Sequence, residues 1–183
     1  MKFLFIWIIL LASSFSFANS FPEIIKGCRD YTSTDKLEKL CIRLGVSPVM
    51  AKACRSTSTY TLERQCLLSA NTISPEIVKG CRDHASTDKL EKLCIRLGVS
   101  PIMAKACRST SIYTQNYTLE RQCLLSANTI SPEIVKGCID YTSTEKLEKL
   151  CIRLGVSPVM AKACENTSTY PLERQCLRSA AKK

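Results

Sequence analysis

One spacing constrains this chain more than any other: a Pro, a Lys four residues later and a Cys two residues after that, repeated six times. It begins at Pro22, Pro48, Pro75, Pro101, Pro132 and Pro158, and a second Cys follows each time. The elementary unit is thus roughly 26 residues long with two cysteines, and it alternates between two types. Pairs of units make three long copies, at 22–74, 75–131 and 132–183, in which LEKLCIRLGVSP and LERQC each occur three times. A unit this small cannot enclose a core of its own. Its apolar faces must be covered by neighbouring units and its fold held by covalent staples.

Each unit reads as two short helices. Ser74 precedes Pro75 and Glu76, which suits a capping hydroxyl, a Pro at the first helical position and a carboxylate near the positive end of the helix dipole. The second helix starts in Ser86-Thr87-Asp88, and Leu90, Leu93, Cys94 and Leu97 fall on one face at helical spacing. Gly98 supplies a left-handed terminator before Ser100-Pro101 opens the next helix, and in even units Asn71 and Asn128 stand in the glycine's place. No stretch alternates with the period of a strand. The expected fold is all-α: a disulfide-stapled α-solenoid of six helical hairpins. The replacement of Leu68 and Leu125 by Arg178 in the last copy is expected to mark a capping end, where no later unit covers that position.

Twelve cysteines in 183 residues need an oxidising compartment, and the N-terminus offers a route to one. Lys2, the apolar run Phe3–Leu11 and the small residues at Ser16 and Ala18 read as a secretory signal peptide over 1–18, leaving the array at 19–183. No CxxC pair is present and His84 is the single histidine, so structural disulfides are expected and metal or other cofactors are not. Consecutive pairing within units gives Cys28–Cys41, Cys54–Cys66, Cys81–Cys94, Cys107–Cys123, Cys138–Cys151 and Cys164–Cys176. A register shifted across the joints (Cys41–Cys54, Cys66–Cys81 and onward) is the alternative, but it strands Cys28 and Cys176. The within-unit scheme is favoured because it uses every cysteine.

Two features are candidates for function. Lys26, Lys52, Lys79, Lys105, Lys136 and Lys162 would line up as a basic stripe in a stacked array, and Lys36, Lys39, Arg43 and their copies add charge on the second helices. The net charge of +10 favours anionic partners. The loops between the helices carry Tyr31, Tyr60, Tyr113, Tyr117, Tyr141 and Tyr170, with His84 standing in once, and would form a Tyr/Ser/Thr recognition edge. The plain alternatives are a solvated face and rings that plug their own helix pairs. Sequons at Asn116 and Asn166 fall in the same loops.

With one unrepeated His and no nucleophile–base pair, an enzyme is not expected. The reading is a secreted or periplasmic binding scaffold, monomeric, for a protein, glycan or anionic surface. Export and sparse aromatics argue against nucleic acid. The alternative is a precursor cut into small two-disulfide helical peptides that act on membranes or as toxins.

Overall fold

The structure is a computed structural model and describes residues 21–112, 117–167 and 169–181. The expected signal peptide, Tyr113 and Asn116 lie outside the described residues. Among the described residues twelve helices follow one another: α1 (Phe21–Tyr31), α2 (Asp35–Leu44), α3 (Pro48–Arg55), α4 (Tyr60–Ser69), α5 (Pro75–His84), α6 (Asp88–Leu97), α7 (Pro101–Ile112), α8 (Tyr117–Ser126), α9 (Pro132–Tyr141), α10 (Glu145–Leu154), α11 (Pro158–Glu165) and α12 (Tyr170–Ala180). No strand occurs among the described residues.

Local chemistry sets the helix ends. Thr34, Thr59, Thr87 and Thr144 cap the second helices, each hydroxyl accepting from the backbone N–H of the Leu three residues on. Ser47, Ser100 and Ser157 cap α3, α7 and α11 in the same way. Gly45, Gly98 and Gly155 close the odd-unit second helices at φ of 63–64°. Two expectations are corrected here. Ser74 makes no capping bond to an amide; its hydroxyl bonds the Glu76 carboxylate instead, which holds that acid below its usual range. Asn71 does not replace the glycine either, since Ala70 caps the end of α4 and remains right-handed. The Asn71 side-chain amide donates to the Leu44 carbonyl, an open acceptor at the end of α2.

The helices stack in two layers. First helices pack in series, α1 on α3, α3 on α5 and so on to α11, and second helices do likewise from α2 to α12. Within each unit the two helices are joined by a disulfide: Cys28–Cys41, Cys54–Cys66, Cys81–Cys94, Cys107–Cys123, Cys138–Cys151 and Cys164–Cys176, with Cα atoms 5.3–5.6 Å apart. No disulfide crosses from one unit to the next. The core runs along the middle of the stack, where all the cysteines but Cys176 are buried with Leu37, Leu67, Ile95, Leu124, Leu147, Ile152 and Leu177. This is a solenoid-like arrangement.

Two contacts repeat between units. In odd units the first helix carries Gly27, Gly80 or Gly137, and a Cβ there would stand 2.7 Å from the Cα of Pro48, Pro101 or Pro158 in the following helix. In even units the same position is Ala53, Ala106 or Ala163. The first helices therefore approach more closely at the joints inside a long copy than at those between copies. The second contact is a buried acid. Glu63, Glu120 and Glu173 accept from the backbone N–H of Ser33, Ser86 and Ser143 in the preceding unit at 2.9–3.1 Å. Arg55 and Arg108 pair with the first two at 3.8 Å, while the last copy has Glu165 where the arginine would be.

The expected capping role of Arg178 is not supported. Leu68 and Leu125 are nearly half exposed, so no later unit covers them. The covered positions are their neighbours Leu67, Leu124 and Leu177, one helical step round. The end effect shows elsewhere. Glu38, in the first unit, is partly exposed and paired to Arg29 at 3.6 Å, whereas its counterparts Glu91 and Glu148 are buried.

Candidate binding surface

The six lysines expected to form a stripe are all exposed on the first-helix layer. They do not make an uninterrupted basic track. In odd units each is flanked by acids on its own helix, Glu23, Glu76 or Glu133 three residues before and Asp30, Asp83 or Asp140 four after. In even units the flanking position is an exposed aliphatic, Val49, Ile102 or Val159. These six acids match the six lysines, while Arg29, Arg55, Arg82 and Arg108 against Glu165 leave the layer modestly positive.

The second-helix layer carries the denser charge. α2, α6 and α10 each present Lys, Lys and Arg at i, i+3 and i+7: Lys36, Lys39 and Arg43; Lys89, Lys92 and Arg96; Lys146, Lys149 and Arg153. This spacing puts all three on one face of a helix. The neighbouring helices α4, α8 and α12 add Arg64, Arg121 and Arg174, and all twelve are exposed except the half-buried Lys149. The exposed acids among them are Asp35 and Asp88, with Glu38 and Glu145 half-buried. The contribution of Arg64, Arg121 and Arg174 is not visible until helices are stacked, because it comes from a residue nearly thirty positions along the chain. The LERQC repeat was the available signal.

These cations converge on recesses. Between α6 and α8, Lys89, Leu90, Lys92, Leu93, Arg96 and Arg121 line a groove of about 370 Å³. It adjoins a second recess of about 520 Å³ lined by Thr87, Asp88, Lys89, Leu90, Tyr117, Thr118 and Arg121. Lys89, Leu90 and Arg121 belong to both, so the two form one trough along the helix pair. In the first copy Thr34, Asp35, Lys36 and Tyr60 line the matching recess. The last copy has Thr144, Glu145, Lys146 and Tyr170 at these positions.

The tyrosines do not share one environment. Tyr31 and Tyr141 end first helices, are half-buried, and have Lys52 and Lys162 over their rings at 5.9 and 5.7 Å. There the lysine of the stripe and the tyrosine of the loop meet as a cation–π pair. His84 holds the corresponding position in the third unit. Tyr60, Tyr117 and Tyr170 instead begin second helices and are 41–54% exposed beside the cationic recesses. Asn166 is exposed, and no cluster of metal-ligating side chains occurs among the described residues.

Buried acids complete the electrostatics. Glu91 and Glu148 each have a carboxylate oxygen with no hydrogen-bond partner among the described residues. Burial pushes both carboxyls up to about 7; Asp88 adds to this at Glu91 while Arg82 opposes it, and Glu145 adds to it at Glu148. Arg82 is turned away to Asp83 and the Ser56 carbonyl, and the last copy has Ile139 in its place.

No family model, curated protein or solved structure matches this chain. What the described residues define is a disulfide-rich helical repeat protein in which no helix is long and apolar enough to cross a membrane.

Proposed function

We propose that the protein is a secreted or periplasmic, non-enzymatic scaffold that binds an anionic partner through its second-helix layer. The observation that carries this reading is the threefold cluster of Lys, Lys, Arg and a facing Arg, with few acids between. Helices pack about 8–10 Å apart, so clusters two helices apart recur about every 20 Å along the stack. A ligand with spaced negative charge can engage several at once, and each contact adds to the others. Export is supported by the leader-like N-terminus and by six disulfides, which persist in oxidising compartments.

The test is salt-dependent retention of the oxidised protein on an immobilised anionic polymer. Reversing Arg64, Arg121 and Arg174 to Glu is expected to abolish retention at moderate salt, whereas Lys52→Glu, Lys105→Glu and Lys162→Glu on the other layer leave most of it. Equal losses from both sets, or none from either, would refute the assignment of the surface.

The precursor reading has one observation in its favour. The joints between long copies expose Asn71-Thr72 and Asn128-Thr129, and no disulfide spans them. Against it, the same joints are packed on both layers, α3 on α5 and α4 on α6. The intact mass of the exported product decides: one chain supports the scaffold, and two-disulfide fragments support the precursor.

A further inference from the structure

We infer that the trough between α6 and α8 is a subsite for an acidic sugar chain, and that its counterparts in the other two copies make the stack a three-site reader of an extended acidic polysaccharide. This rests on the anion-binding reading and adds the ligand's chemistry to it.

Cations alone would serve any polyanion; the trough holds more than cations. Tyr117 stands at its mouth with 54% of its surface exposed. The ring makes an open, flat, apolar face with a polar tip, on which the C–H face of a pyranose can lie. Leu90 lines the recess beside it. Asp88 accepts from the Ser58 hydroxyl through Oδ1 and has its other oxygen as an acceptor for sugar hydroxyls, and an acceptor carboxylate in a cationic groove has no use to a ligand that is only negative charge. Lys89, Lys92, Arg96 and Arg121 then take the carboxylates or sulfates.

Shape separates this ligand from an anionic membrane. The site is a recess between two helices, and a lipid surface meets the ridges of a protein rather than its grooves. A single extended chain fits between ridges. Repetition about every 20 Å suits a polymer, whose bound segments raise the local concentration of the next.

The experiment compares four probes on the oxidised full chain at fixed ionic strength: polygalacturonate, neutral dextran, inorganic polyphosphate and phosphatidylglycerol vesicles. Polygalacturonate is expected to bind most tightly, and its affinity to rise with oligomer length once the chain reaches a second trough. Joint Tyr60→Ala, Tyr117→Ala and Tyr170→Ala is expected to weaken polygalacturonate by about tenfold or more, equivalent to at least 1.4 kcal/mol, while leaving polyphosphate nearly unchanged. Arg121→Glu should weaken both. If the tyrosine variant weakens neither probe, or both alike, the sugar subsite is refuted and the anion surface stands. If vesicles bind most tightly, the lipid surface replaces the sugar. If no charged probe binds and Arg121→Glu has no effect, the anion-binding reading fails as well. Unchanged far-ultraviolet circular dichroism of each variant separates these outcomes from misfolding.

Discussion

A Cβ placed on Gly80 would lie 2.7 Å from the Cα of Pro101, so these two residues bring the backbones of α5 and α7 together at the joint inside a long copy. Glycine within a helix ordinarily costs about 1 kcal/mol relative to alanine. Here the sign reverses, because the atom in the way is main chain and cannot swing aside. Gly80→Ala is expected to destabilise the array by about 1–3 kcal/mol, the usual cost of overpacking. Ala106→Gly, at the equivalent even position, should show only the helix-propensity loss. Urea unfolding with disulfides intact checks both, and a more stable Gly80→Ala protein would contradict the packing described.

The buried acids Glu63, Glu120 and Glu173 tie each even unit to the loop before it. Glu120→Ala would remove the buried carboxylate that accepts from the Ser86 amide and pairs with Arg108, and is expected to cost about 2–4 kcal/mol. In the last copy Glu165→Arg would restore the partner seen at Arg55 and Arg108, with an expected gain of about 0.5–1 kcal/mol at low salt. Thermal midpoints at two salt concentrations measure both, and the gain should shrink in the higher salt.

Glu91 and Glu148 predict a pH dependence of opposite sign to the usual acid denaturation. Their folded carboxyls titrate at about 7 against an ordinary value of 4.5. The folded state therefore holds protons that the unfolded state releases. The two sites cost nothing below about pH 4.5; stability falls as pH rises from there, and the full penalty is present above about 7. A shift of this size corresponds to on the order of 3 kcal/mol per site at neutral pH. Glu91→Gln with Glu148→Gln is expected to stabilise the protein at pH 7.5 and to leave it little changed at pH 4.5. Unfolding curves at the two pH values test this, and an equal effect at both would count against it.

Each disulfide closes a loop of 12 to 16 residues within its hairpin. The chain-entropy account gives about 3 kcal/mol for such a loop. Replacing Cys81 and Cys94 together by Ser is expected to remove about that much, and protection from hydrogen exchange should fall most in α5 and α6. Uniform loss across all twelve helices would mean that the units do not open separately.

The helices were legible because their ends are marked by chemistry: Pro48, Thr87 and Gly98 act locally, whatever the neighbours do. The stacking was legible from repetition. What escaped depended on residues brought together from different units. Glu120 reads as a surface charge beside Arg121, yet one is buried against Ser86 and the other lines a groove. Leu68 and Leu67 look alike in the chain, and only the helix rotation in the stack separates the exposed one from the covered one. Tyr31 and Tyr60 both sit near loops, but a first-helix end and a second-helix start face opposite layers. Gly80 against Ala106 was visible as an alternation whose cause is the closeness of Pro101.

The absence of any disulfide between units has a mechanical consequence. Load applied to the two ends can draw out only the segments between staples, such as Cys41 to Cys54, each spanning on the order of 45–55 Å at full extension. Each disulfide-closed loop stays shut while the helical segments between staples are drawn out, so a stretched chain would lengthen between six intact loops.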